Sequence, residues 1–182
     1  MRAVCLAFSA GICVVLAALD AGSIAQAQIV VIGDSNIAGK GVAPSDNYPS
    51  KLEQALRARG YKGAVINAGV NGDTTQGVLG RLDSDVPPGT KVAIVWVGVN
   101  DIRRHGANIE SVRANRQEIA NRLRARGIKV IMLGHDYHPT GHPELLQNDP
   151  DQHLNAAGYD TVVARTLPQV NAALGQGAGK RH

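Results

Sequence analysis

Ile29-Val30-Val31-Ile32-Gly33-Asp34-Ser35-Asn36 is an apolar, β-branched run that ends on a small turn carrying a serine. A short continuous run of this kind, closed by glycine, reads as a strand buried on both faces of a parallel sheet. The pattern recurs three times further along the chain: Ala64-Val65-Ile66-Asn67, then Val92 to Val97, then Ile128 to Leu133. Helical spacing fills the gaps. Tyr48 to Arg59 carries Leu52, Ala55 and Leu56 and is closed by Gly60, Thr75 to Leu82 is a short helix, and Asn108 to Arg126 places Ile109, Val112, Ile119 and Leu123 on one face. Leu154 to Leu174 is a last helix, with Pro168 placed to kink or interrupt it. Strands alternating with helices imply a three-layer α/β/α sandwich around a short parallel sheet of four or five strands. In such sheets reactive groups collect on the loops at the carboxyl ends of the strands.

The chain has 182 residues, which suits one compact domain, expected over 28–174. Aromatics make up only 3%, so the core must be built from Val, Ile, Leu and Ala. The net charge of +4 is spread along the chain with no basic cluster interleaved with aromatics, which argues against a nucleic-acid partner. At the amino terminus Arg2, an apolar run from Ala3 to Leu19 and the small-x-small step Ala25-Gln26-Ala27 have the layout of a secretory signal peptide over 1–27. Cleavage there would start the mature chain at Gln28, remove both cysteines (Cys5 and Cys13), exclude disulfides and a thiol nucleophile, and leave no stable membrane insertion. The expected location is secreted or periplasmic. The tail 175–182 is expected to be disordered.

Polar clusters follow the expected strands: Gly33-Asp34-Ser35-Asn36 after the first, Asn71-Gly72-Asp73-Thr74 after the second, Gly98-Val99-Asn100-Asp101 after the third, and Asp149-Pro150-Asp151-Gln152-His153 before the last helix. All fall at one edge of the sheet. A serine hydroxyl needs a base within hydrogen-bond reach, and His153, with an unperturbed pKa near neutrality, can supply it. A carboxylate on the other ring nitrogen would fix the tautomer. Attack on an ester creates an oxyanion, for which the Ser35 N–H, the Gly72 N–H and the Asn100 amide are candidate donors. Asp34 reads as a hydrogen-bonding residue that stiffens the turn, and Asp101 as a cap.

These four blocks, in this order, resemble the SGNH (GDSL-like) hydrolase family, and the resemblance covers about residues 28 to 173. It implies a flavodoxin-like fold and a serine esterase acting through an acyl-enzyme on Ser35, with His153 as base, no metal and no organic cofactor. It also implies a small-molecule ester substrate, short-chain or aryl. A carbohydrate O-acetyl esterase, a thioesterase, a lysophospholipase and a catalytically decayed acyl- or sugar-binding protein are the alternatives. Two departures stand out. Asn36 occupies a position where Leu is frequent in the family. The family's acid lies three residues before the histidine, and that position is Pro150 here. Asp151, two before His153, is the expected triad acid; Asp149 and a backbone carbonyl are the other possible supports. About twenty residues separate the fourth strand from His153, too few for a further helix-plus-strand unit, so an open site is expected.

His135, Asp136, His138 and His142 form a polar group whose spacing matches no strong metal motif, and it reads as an ordinary loop, with His138 or His142 candidates to line the cleft. Trp96 reads as core. Arg103 and Arg104 are placed either to meet an anionic substrate or simply to be solvated.

Overall fold

The computed structural model describes residues 27–175. Of the expected signal peptide over 1–27, all but Ala27, which begins the first strand, lies outside the described residues, as do both cysteines and all but Gly175 of the expected tail over 175–182.

Four parallel strands form one sheet in the order β2-β1-β3-β4, with β1 at Ala27–Gly33, β2 at Ala64–Gly69, β3 at Val92–Trp96 and β4 at Lys129–Met132. The strands are linked by α1 (Ser35–Ala38), α2 (Tyr48–Arg57), α3 (Thr75–Asp85), α4 (Val99–His105) and α5 (Ile109–Ala125), and α6 (Ala156–Ala173) closes the chain. Successive side chains of a strand point to opposite faces. Ile29 and Val31 of β1, with Val92, Ile94 and Trp96 of β3, therefore pack on α2 and α6 through Leu52, Leu56, Tyr159 and Val162. Val30, Ile32, Ala93 and Val95 face the other way, onto Val78 and Leu82 of α3 and Ile119 and Leu123 of α5. Each buried Val, Ile or Leu among them contributes roughly 1.5–3 kcal/mol relative to exposure. Burial on both faces is why β1 and β3 read as continuous apolar runs. β2 at the sheet edge is more open, and its Ile66 is exposed.

The expected three layers and the four-strand sheet are found, with each expected helix in place. The differences are local. Pro168 does not interrupt α6: it lies on the exposed side, where the Ala164 carbonyl left without its N–H partner can turn to water, while Thr166, Leu167 and Val170 hold the helix to the core. The helix α4 has no counterpart in the periodicity reading. It spans only seven residues, Ile102 is exposed rather than part of an apolar stripe, and it starts from Gly98 at φ +130°, a conformation reserved for glycine. Between β4 and His153 there are only two 3-10 turns, His135–Tyr137 and Pro143–Leu145, as the short spacing requires.

Candidate active site

Ser35 is the first residue of α1, immediately past the carboxyl end of β1. Gly33 allows this. A Cβ there would stand 1.9 Å from the Trp96 carbonyl, so only glycine lets β1 and β3 come together below the turn. The Asp34 N–H donates to the Trp96 carbonyl at 3.2 Å, and the Asp34 carboxylate accepts from the Asn36 N–H at 3.0 Å, capping α1. This is the stiffening role expected of Asp34. It costs something: Asp34 is 1% exposed. Burial, with the nearby Asp73 and Asp101 charges adding, lifts its pKa to about 6 against the pull of the Asn36 hydrogen bonds. A raised carboxyl pKa makes the folded state hold a proton that the unfolded chain has already released. Stability from this group is therefore present at low pH and lost as pH rises from about 4 through 6. Asp34→Asn keeps an oxygen to cap α1 and removes the buried charge. It should gain stability over the parent at pH 7, by roughly 1–3 kcal/mol, and show no such gain at pH 4. Thermal unfolding at both pH values checks this, and an equal difference at the two would sink it.

His153 follows an irregular loop and precedes α6, whose first turn is capped by the Asn155 side chain accepting from the Gly158 N–H. An antiparallel bridge between Leu146 and Leu154 holds it, with the Gln147 N–H donating to the His153 carbonyl at 2.7 Å. The ring is 4% exposed. Its Nε2 lies 2.9 Å from Ser35 Oγ, and its Nδ1 lies 2.5 Å from Asp149 Oδ2. The other carboxylate oxygen of Asp149 accepts the His153 backbone N–H at 3.0 Å. One carboxylate therefore grips both the ring and the backbone of the same residue. Desolvation pushes the Asp149 carboxyl up, but the hydrogen bonds from the His153 ring and backbone outweigh it and hold the group below the ordinary carboxylate range.

Asp151, the acid expected from the sequence, does not reach the histidine. Its carboxylate pairs with Arg104 at 2.8 Å and with Lys40 at 3.8 Å. The reason lies in the turn. The Gln152 N–H donates to the Asp149 carbonyl across Pro150-Asp151, which turns the Asp151 side chain to the rim and brings Asp149 back under the ring. An Asp preceding Pro at the start of a turn is a residue whose side chain commonly caps the backbone ahead of it. That signal was present in the sequence.

Of the expected oxyanion donors, Asn100 is 5% exposed on α4 and shares a cavity with Ser35 and His153. One amide hydrogen of Asn100 goes to the Asp73 carbonyl at 2.9 Å, which leaves the second available. Gly72, in the β2–α3 loop, has the positive φ expected of it (+80°), and its N–H meets no acceptor among the described residues. It stands on the β2 side and does not line the cavity, which opens past β1, β3 and β4. Asp101 is a cap at a distance: its carboxylate accepts from the Thr75 N–H at 3.0 Å and the Thr75 hydroxyl at 2.5 Å, tying α4 to the start of α3.

Two half-buried arginines that spacing arguments did not identify brace this edge. Arg81 donates to the Gly33 and Ala68 carbonyls and to the Asp73 and Asp85 carboxylates. Arg116 donates to the carbonyls of Val97 at 2.5 Å and Leu133 at 2.9 Å. Desolvation lowers the pKa of Arg116, opposed by the Asp34 charge. The four strand ends that carry the site are thus tied in pairs by guanidinium groups.

The cavity encloses about 670 Å³, within the range of small-molecule sites. Trp96, Ile102, Ile109 and Val112 form its apolar wall, and Arg103, Arg104, Arg113 and Arg116 bring positive charge to it. Trp96 belongs both to the core, as expected, and to the wall. Among the described residues no three His, Cys, Asp or Glu side chains converge as a metal site, and no helix is long and apolar enough to cross a membrane.

The sequence pattern of the GDSL-like Lipase/Acylhydrolase family matches residues 31–178. The chain is 31% identical over 138 residues to an esterase of Pseudomonas aeruginosa, TesA, covering 74% of this chain and 67% of that one. It is 31% identical over 116 residues to an arylesterase of Vibrio mimicus, covering 63% of this chain and 58% of that protein. Among solved structures, AlinE4, an SGNH-hydrolase family esterase, superposes with a TM-score of 0.60 at 29% identity, over 84% of this chain and 99% of that one.

Proposed function

Since the chain belongs to the GDSL-like Lipase/Acylhydrolase family and is an ester-bond hydrolase, we propose that it cleaves short-chain or aryl carboxylic esters through an acyl-enzyme on Ser35. The observation that carries this reading is the unbroken path from Ser35 Oγ to His153 Nε2 at 2.9 Å and from His153 Nδ1 to Asp149 Oδ2 at 2.5 Å. In it Ser35 Oγ attacks the ester carbonyl while His153 Nε2 takes its proton. The Ser35 N–H and the second Asn100 N–H, both on the cavity wall, are the donors offered to the oxyanion, whereas the Gly72 N–H lies off that wall. His153 hands the proton to the departing alkoxide, leaving an acyl ester on Ser35. Water then attacks with His153 again as base, releasing the acid and restoring the serine. Asp149 holds the proton-bearing Nδ1 and stabilises the imidazolium. The test is covalent: a fluorophosphonate should add once, at the peptide carrying Ser35, and abolish p-nitrophenyl acetate hydrolysis in proportion to labelling. Labelling elsewhere, or hydrolysis that survives full labelling, would refute it.

The charge of the wall bears on the substrate. Arg104 is paired with Asp151, whereas Arg103 and Arg113 make no ion pair among the described residues. A cleft with an excess of one sign concentrates ligands of the other. Esters carrying a negative charge are the preferred class in this reading. With 4-acetoxybenzoate against neutral phenyl acetate at low salt, Arg103→Glu with Arg113→Glu should lower kcat/KM on the anionic ester by about fivefold and leave the neutral ester nearly unchanged. Equal effects on both would remove the charge argument. The amino-terminal signal-like segment supports action outside the cytoplasm; sequencing of exported protein should find Gln28 first.

A further inference from the structure

Gln152, the residue immediately before His153, has φ +53° and is the one non-glycine with a positive φ among the described residues. A side chain in that region is strained and persists only where neighbours hold it. The surrounding turn explains why the strain exists. Asp149-Pro150-Asp151-Gln152 is closed by the Gln152 N–H donating to the Asp149 carbonyl at 3.1 Å. In such a turn Pro suits the second position and glycine the fourth. Here the fourth position is glutamine. The chain has three residues between Asp149 and His153, and the left-handed twist at Gln152 is what lets Asp149 fold back to both the Nδ1 and the backbone N–H of His153.

Something must hold that twist, and the loop after β4 supplies a candidate. His138, half-buried in the loop after β4, lies with Nε2 2.9 Å from the Gln152 carbonyl oxygen and Nδ1 3.1 Å from Thr140 Oγ1. A carbonyl only accepts, so Nε2 carries the proton; in the neutral ring Nδ1 then accepts from the Thr140 hydroxyl. Both ring nitrogens are thereby used by the neutral form. Desolvation, aided by the charges of His135, Arg103 and His153 and opposed by the Gln152 bond, lowers the pKa of His138 in the same sense.

We propose that His138 is a positioning residue that clamps the Gln152 carbonyl, holding the strained turn that aligns Asp149 with His153. The proposal rests on the reading of Ser35, His153 and Asp149 given above, and assigns to the β4 loop a part in catalysis that passes through the backbone rather than through the substrate. Loss of the clamp would let Gln152 relax, move Asp149 away from Nδ1 and leave His153 less well aimed. It would slow the chemistry without changing how the substrate binds.

The experiment compares His138→Ala, Gln152→Val and the double variant His138→Ala/Gln152→Gly on p-nitrophenyl acetate, with thermal unfolding of each. His138→Ala should lower kcat about tenfold with KM within twofold, since small misplacements of a catalytic group carry penalties of this size. Gln152→Val should act likewise, because a β-branched residue resists a positive φ. Glycine at 152 takes that φ without strain, so the double variant should recover most of the lost kcat although it lacks the clamp. A rise in KM with kcat kept would make His138 a substrate contact and overturn the proposal. So would a kcat loss that glycine at 152 does not repair, or no loss in His138→Ala. Absence of Ser35-dependent hydrolysis in the parent protein would instead overturn the underlying reading.

Discussion

Ser35→Ala should lower kcat for p-nitrophenyl acetate by ~10⁴-fold or more while leaving the fold intact. The hydroxyl makes one hydrogen bond among the described residues, to His153 Nε2, and the residue is held in place by its backbone at the start of α1. Truncation removes the nucleophile but no part of the core, so the unfolding midpoint should move by no more than a few degrees. The two side chains act as one unit, so His153→Ala should cost about as much, and the double variant hardly more than either single one. Additive losses would mean that the two residues act independently. Undiminished hydrolysis in Ser35→Ala would remove the acyl-enzyme mechanism altogether.

The second large effect separates the two aspartates. Asp149→Asn should reduce kcat by roughly 10²–10⁴-fold. An amide at 149 can keep an oxygen on the His153 backbone N–H, but it then turns its NH2 toward Nδ1. The imidazole responds by carrying its proton on Nε2, where it can no longer accept from Ser35. Asp151→Asn, by contrast, disturbs only the pairs with Arg104 and Lys40 at the rim, and kcat should stay within about twofold, in keeping with the small worth of exposed ion pairs. A pH–rate profile for each gives a further separation: only the Asp149 variant should alter the limb that reports deprotonation of the base. The opposite ranking would return the role to Asp151.

Why one aspartate rather than its neighbour takes this place is a lesson in what spacing can and cannot carry. Strands buried on both faces leave an unbroken apolar signature, so β1 and β3 were legible from Ile29 to Ile32 and from Val92 to Val97, and with them the edge at which Ser35, Asn100 and His153 meet. The distance along the chain from Asp151 to His153 was equally legible. Its meaning was not, because a tight turn at Pro150 reverses the chain and reach no longer follows sequence separation. The helix α4 was hidden for a different reason: it is short, partly exposed and begins from a glycine at a φ that no periodicity encodes. Arg81 and Arg116 were hidden because their partners are backbone carbonyls, and any strand end offers those. His138 lines the cleft, as its place in the sequence suggests, but its bond to the Gln152 carbonyl depends on two loops whose meeting has no sequence signature.

Trp96 is the chain's single tryptophan. It ends β3, its carbonyl receives the Asp34 N–H, and its indole is nearly buried in the wall of the cavity that holds Ser35. The protein therefore contains its own optical probe. Emission from this one indole comes from the wall of the site and from nowhere else, with no background from other tryptophans to subtract. Acylation of Ser35, or the arrival of a ligand that displaces solvent from the wall, alters the polarity around that fluorophore directly. Binding and turnover can then be followed in real time on the unlabelled enzyme, with natural esters that release no coloured product.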